Sequence, residues 1–122
     1  MILKNINVKI NNNSTSLAQQ SIILYNGDSG LLLTIKLEGF KFKLSSIGKV
    51  DASIVNMSNA KLTTITDLTL KDGNILLPLN EEGLLLNEEG THKVQLHIYD
   101  PELNRISTPT FDIICKNPIY LE

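Results

Sequence analysis

The sequence predicts an all-β domain, an immunoglobulin-like antiparallel β-sandwich of about seven to eight strands, and three observations carry that expectation. Apolar residues recur mainly with period two, in short runs, as half-buried strands require. Clusters of Asn, Asp and Gly separate the runs and supply turns. Ala, the best helix former, is scarce, while Leu and Ile carry most of the apolar content. At 122 residues the chain fits one domain. A globular chain of that size buries roughly two-thirds of its unfolded surface, so it needs no disulfide or metal to hold a core.

The elements follow in order. In the first strand, Ile2 to Ile10, the residues Ile2, Ile6, Val8 and Ile10 share one face and Asn5, Asn7 and Lys9 the other. A polar loop, Asn11 to Ser16, comes next. Ser21 to Tyr25 and Leu31 to Leu37 are apolar runs around Asn26-Gly27-Asp28-Ser29-Gly30, which reads as a β-hairpin. Gly39 to Leu44 alternates Phe40 and Phe42 with lysines; it either continues a strand or covers an open end of the core. Val50, Ala52 and Ile54 mark the inner face of a strand from Val50 to Met57. Ser58 to Lys61 connects it to a Thr- and Leu-rich strand, Leu62 to Leu70. Lys71-Asp72-Gly73-Asn74 is a turn leading into Ile75 to Leu79, where Pro78 lacks an N–H and places the strand at an edge.

The pentapeptide LNEEG occurs at residues 79–83 and again at 86–90, too short a repeat for a solenoid. The stretch reads as a crossover with one helical turn tucking Leu84 to Leu86 inward. Val94, Leu96 and Ile98 then face inward, with Lys93, Gln95 and His97 outward. Asp100 to Arg105 is a hairpin loop, with Pro101 pre-setting φ and Asn104 suited to a left-handed conformation. A last strand, Ile106 to Cys115, returns antiparallel with Phe111, Ile113 and Cys115 inward. Pro109 requires a bulge, an edge or an end of the pairing there.

Composition excludes several functions. Eleven basic and 13 acidic side chains give a formal charge of -2 without charged blocks, so neither nucleic acid nor a membrane surface is an expected partner. No apolar run approaches the ~18 residues of a membrane span, and the N-terminus lacks a signal peptide, so the chain reads as soluble and not exported by the general route. A lone Cys115 forms no internal disulfide. Residues 1–120 are the domain; Leu121 and Glu122 match what a cloning junction leaves before a purification tag. The expectation is therefore the N-terminal part of a longer protein.

Each motif with a chemical reading has a plainer one. Gly27-Asp28-Ser29-Gly30 spells the tetrapeptide around a serine-protease nucleophile, but that mechanism needs a His base, a buried Asp and a larger fold. A turn explains the four residues better. His92 and His97, five apart on a strand, point to opposite faces and cannot share one metal. Cys115 reads as a small buried hydrophobe. Glu81-Glu82 and Glu88-Glu89 lack the alternating ligand spacing of a calcium loop and read as a solvated turn face. Asn12, Asn13 and Asn56 begin glycosylation triplets, which mean little without a secretory signal. Phe40 and Phe42 with Lys36, Lys41 and Lys43 form a small basic-aromatic stripe that core phenylalanines and exposed lysines explain equally well. No catalytic, cofactor-binding or metal residue is assigned, no cofactor is expected and no enzyme activity is expected.

Four stretches carry a family resemblance. They are Ile22-Ile23-Leu24-Tyr25 with Leu31 to Leu37; Val50-Asp51-Ala52-Ser53-Ile54-Val55 with the Thr-rich segment after it; Lys71-Asp72-Gly73-Asn74-Ile75; and Gly90 to Asp100 followed by Asn104 to Phe111. In this order they resemble the N-terminal domain of phage baseplate upper proteins, over nearly the whole chain. The Phe40–Phe42 segment and the doubled LNEEG depart from that pattern. The resemblance implies a tail baseplate location, with assembly in the bacterial host cytoplasm. It implies docking onto the central baseplate ring and linkage to a C-terminal receptor-binding part. The implied partners are baseplate or tail proteins, with self-association in the full-length protein. A host surface glycan would be reached only through the C-terminal part. The alternative is an accessory carbohydrate-binding or adhesive module, which would need an exposed aromatic platform; the chain has no Trp and offers Tyr25, Tyr99 and Tyr120.

Overall fold

A computed structural model describes residues 4–11, 22–28, 30–40, 46–79 and 88–119. Within them the alternating runs become ten strands: β1 (Lys4–Asn11), β2 (Ile22–Tyr25), β3 (Leu31–Glu38), β4 (Lys49–Asn56), β5 (Leu62–Ile65), β6 (Thr69–Lys71), β7 (Asn74–Leu79), β8 (Gly90–Tyr99), β9 (Arg105–Ser107) and β10 (Phe111–Lys116). They form a sandwich. One sheet has the order β1-β3-β7-β6 and the other β2-β10-β8-β4-β5, with β9 pairing β8 beside β10. The chain therefore passes back and forth between the layers instead of completing one before starting the next.

Alternation decides what fills the space between the sheets. Val8, Leu33, Ile35, Ile75 and Leu77 of the four-stranded sheet and Val50, Ala52, Ile54, Val94, Leu96 and Ile113 of the larger one belong to a single buried cluster. Each Val, Leu and Ile side chain among them contributes about 1.5–3 kcal/mol on burial. Phe40 and Ile47 pack on the cluster from its margin. The inward positions expected on β4, β8 and β10 are buried, including Cys115; on β1 Val8 and Ile10 are buried, Ile6 is half-buried, and Ile2 lies outside the described residues.

The pairing is not wholly antiparallel. β1 lies parallel to β3 and β2 parallel to β10. The second of these overturns the expected hairpin of residues 21–37. β2 and β3 belong to different sheets, so the connection between them crosses from one layer to the other. A step between layers uses the same local chemistry as a hairpin, here Gly27 at φ 96° and Gly30 at φ 73°. Only the distant partner, β10, distinguishes them.

The expected single strand from Leu62 to Leu70 is likewise two strands in two sheets. The break lies at Asp67, which takes φ 54° and donates its N–H to Asp51 Oδ1 at 3.0 Å. Leu68 then donates its N–H to the Val50 carbonyl and buries its side chain. Asp67 is a poor strand residue, but the Thr and Leu on either side favour strand, so the run reads as continuous. Pro78 is also not on an outer strand, since β7 lies between β3 and β6. β6 reaches only as far as Leu76, so beyond it Pro78 has a strand partner, Leu32, on one side only among the described residues. The edge demanded by proline is local.

The returning segment from Arg105 to Lys116 is interrupted by a bulge at Pro109, one of the three outcomes that proline allowed. Ile106 pairs with Ile98 and Ser107 with His97, but Phe111 pairs with Val94, one residue out of step. Buried Thr108 bridges the slip. Its N–H donates to the Leu96 carbonyl, and its Oγ1 accepts from the Leu96 N–H at 3.1 Å. In the loop before it, Leu103 and not Asn104 takes the left-handed conformation, at φ 67°. Asn104 is held instead by Asp100, whose Oδ1 accepts its N–H at 2.9 Å and whose Oδ2 accepts its side-chain amide at 3.0 Å. The turn before β7 meets the sequence reading: Asp72 at φ 52° and Gly73 at φ 80° close the β6–β7 hairpin.

Candidate functional site

The outer face of the larger sheet collects polar side chains of β4, β8, β9 and β10. Opposite signs sit together: Lys93 Nζ is 2.9 Å from Asp112 Oδ1, and Lys49 Nζ is 3.6 Å from Asp51 Oδ2. At the centre His97 touches two serines. Its Nε2 is 2.9 Å from Ser53 Oγ and its Nδ1 is 2.8 Å from Ser107 Oγ. A neutral imidazole meets that pair with one donor and one acceptor nitrogen.

Sequence reasoning passed over this trio, though part of it was within reach. The Asp100 to Asn104 loop sets the β8–β9 register, and that register puts Ser107 opposite His97. Ser53 arrives through the β4–β8 register, which no local signal supplies. The arrangement does not make a nucleophile. A serine–histidine pair needs a carboxylate to orient the imidazole and donors for an oxyanion. Here the second ring nitrogen meets a hydroxyl. The carboxylate paired across from His97, Asp51, is engaged by the Asp67 N–H and Lys49. The trio instead ties three strands together on the sheet surface.

The glutamates of the second LNEEG are also structural. Glu88 Oε2 accepts from the side-chain amides of Asn59 at 2.6 Å and Asn56 at 3.3 Å, and its Oε1 is 3.4 Å from Lys61 Nζ. Glu89 Oε2 accepts from Asn117 Nδ2, whose Oδ1 accepts from Asn26 Nδ2. Adjacent carboxylates thus clip the start of β8 to the β4–β5 turn on one side and to the end of β10 on the other. Asn56 is buried and so engaged. Among the described residues no three His, Cys, Asp or Glu groups come together as a metal site, and no helix is long and apolar enough to cross a membrane.

Other predicted positions separate in space. His92 is buried on the inner face and His97 lies on the outer one, as their spacing required. Gly27, Asp28 and Gly30 belong to the step between layers; Ser29 lies outside the described residues. So do Asn12, Asn13, Lys41, Phe42, Lys43, Glu81, Glu82, the tuck of Leu84 to Leu86, and residues 120–122. Phe40 packs against the core, while Lys36 is exposed. Of the tyrosines, Tyr99 carries the Lys49 ammonium 4.8 Å from its ring centroid, so that ring face is taken. Tyr25 is exposed on edge strand β2.

At the far end of the sheet the β8–β9 hairpin and residues 46–47 enclose a cleft of about 380 Å³. Ile47, Ile98 and Ile106 give it an apolar lining, and Asp100 and Glu102 stand among its lining residues. The Asp100 carboxyl is held below the usual carboxylate value, first by the Asn104 side-chain amide, then by the backbone N–H groups of Asn104 and Glu102.

No protein-family model matches the sequence, and no curated protein matches it. A solved structure does: the N-terminal domain of phage TP901-1 ORF48, with a TM-score of 0.57 over 93% of this chain and 98% of that one. The two share this fold. Their sequences are 10% identical, so the likeness is one of fold. Coverage of both chains means that the match takes in nearly all of the sandwich.

Proposed function

We propose that this chain is a structural domain of a phage or prophage tail baseplate. It docks onto the central ring and joins it to a C-terminal receptor-binding part. The observation that carries the reading is the near-complete overlap with the N-terminal domain of a phage protein. The resemblance of the sequence to baseplate upper proteins, carried by strand and turn segments, points the same way independently. The side chains also fit an assembly role, because the groups with chemical potential, His97, Ser53, Asp51, Glu88 and Glu89, are engaged in bonds between strands and turns. On this reading the domain has no hydrolase activity, and its partners are baseplate or tail proteins.

Co-expression of the chain with the tail proteins encoded beside its gene tests the proposal. A stable complex with one of them, isolated by affinity and size-exclusion chromatography, is expected. A folded domain that binds none of them, or a gene lying within a metabolic operon, refutes the reading. For the carbohydrate-binding alternative the discriminating result is glycan-array binding lost in Tyr99→Ala. The Lys49 ammonium over that ring argues against it.

A further inference from the structure

The cleft at the β8–β9 hairpin has three properties that together describe a docking pocket. Its interior is apolar: Ile98 is 4% exposed, Ile47 packs on the core, and Ile106, 50% exposed, keeps a large aliphatic surface in water. Among the described residues that line it, the charged side chains are the carboxylates of Asp100 and Glu102. The nearby Lys49 is committed to Asp51 and to the Tyr99 ring.

The third property is rigidity. Asp100 Oδ1 accepts the N–H groups of Glu102 and Asn104, and Oδ2 accepts the Asn104 amide. Gly48 donates its N–H to the Tyr99 carbonyl at 2.7 Å. Its backbone lies so close that a Cβ there would stand 2.9 Å from the Asp100 carbonyl oxygen. A pocket already in its bound shape avoids the ordering cost that usually offsets contact energy.

We propose that this cleft receives an extended segment of a partner protein, which inserts one aliphatic side chain and lays a Lys or Arg against Asp100 and Glu102. The acidic rim selects a basic segment through charge complementarity and disfavours an acidic one. The assignment rests on the baseplate reading only in placing that segment on a neighbouring tail protein.

Amide-resolved NMR titration of the 122-residue chain with two synthetic peptides tests it, Gly-Arg-Leu-Arg-Gly and Gly-Glu-Leu-Glu-Gly. The basic peptide is expected to shift the amides of Ile47, Gly48, Ile98 and Ile106 saturably, and the acidic one to leave them in place. Glu102→Lys should weaken the basic peptide by about threefold to fivefold, the worth of one exposed charge pair. Ile106→Asn should weaken it about tenfold or more, through lost aliphatic burial. Both sites are exposed, and the amide spectrum itself reports whether each variant is folded. Equal shifts from both peptides, shifts scattered over the surface, no saturable shift, or indifference to Ile106→Asn overturns the assignment. A tail-protein complex that forms undiminished with Ile106→Asn also overturns it while leaving the baseplate reading standing.

Discussion

Asp100 shows how much a loop can ask of one carboxylate. The Asn104 side-chain amide, the Asn104 N–H and the Glu102 N–H all favour its charged form, so its value falls below the usual 3.8. A folded value below the unfolded one means that this stabilisation is complete above about pH 4 and is lost as pH falls through the lower folded value. Asn104→Ala should therefore raise the Asp100 midpoint toward 3.8, read from carboxyl carbon shifts in an NMR titration; an unmoved midpoint refutes the attribution. Cys115 is the opposite case. Burial pushes its thiol up, and the thiolate is the reactive form. A disulfide reagent at neutral pH should leave the native thiol untouched and modify it once urea unfolds the chain. Rapid labelling of the native protein would contradict its placement in the core. At this scale the sequence was informative wherever parity decides: His92 in, His97 out and Cys115 in follow from strand alternation alone.

Among the elements, the bulge between β9 and β10 makes the sharpest demand. Where the extra residue displaces the ladder, the Thr108 hydroxyl replaces the carbonyl that would have met the Leu96 N–H. Thr108→Val leaves that buried donor unmet and should cost about 1–3 kcal/mol, seen as a lower urea midpoint. Thr108→Ser should retain most of the stability, and equal losses in both would mean that packing, not the hydroxyl, matters. Pro109 announced a disturbance here, but its form depended on the partner strand. The same limit explains the other differences. The Asp72-Gly73 hairpin was readable because two residues determine it. The β2–β3 step was not, because its signals match those of a hairpin until β10 is known. Asp67 was missed because its left-handed turn depends on Asp51, a residue from another strand. Ser53, His97 and Ser107 came together through one readable register and one that was not.

For the molecule as a whole, an all-β sandwich was legible from composition and period, because one core between two layers is what short alternating strands can build. Strand order was not, because it rests on pairings between distant segments such as β1 with β3 and β2 with β10. One core shared by both layers predicts a single unfolding transition. Tyrosine fluorescence and far-ultraviolet circular dichroism should give coincident urea curves, and separated midpoints would show that the sheets unfold independently. The passage of the chain between layers has a further consequence. A cut in the exposed turn from Ser58 to Lys61 would leave β1 to β4 on one fragment and β5 to β10 on the other, each holding strands in both sheets. Neither fragment corresponds to a layer, so the nicked protein stays clasped, and the turn is a natural place to divide the domain into two complementing halves.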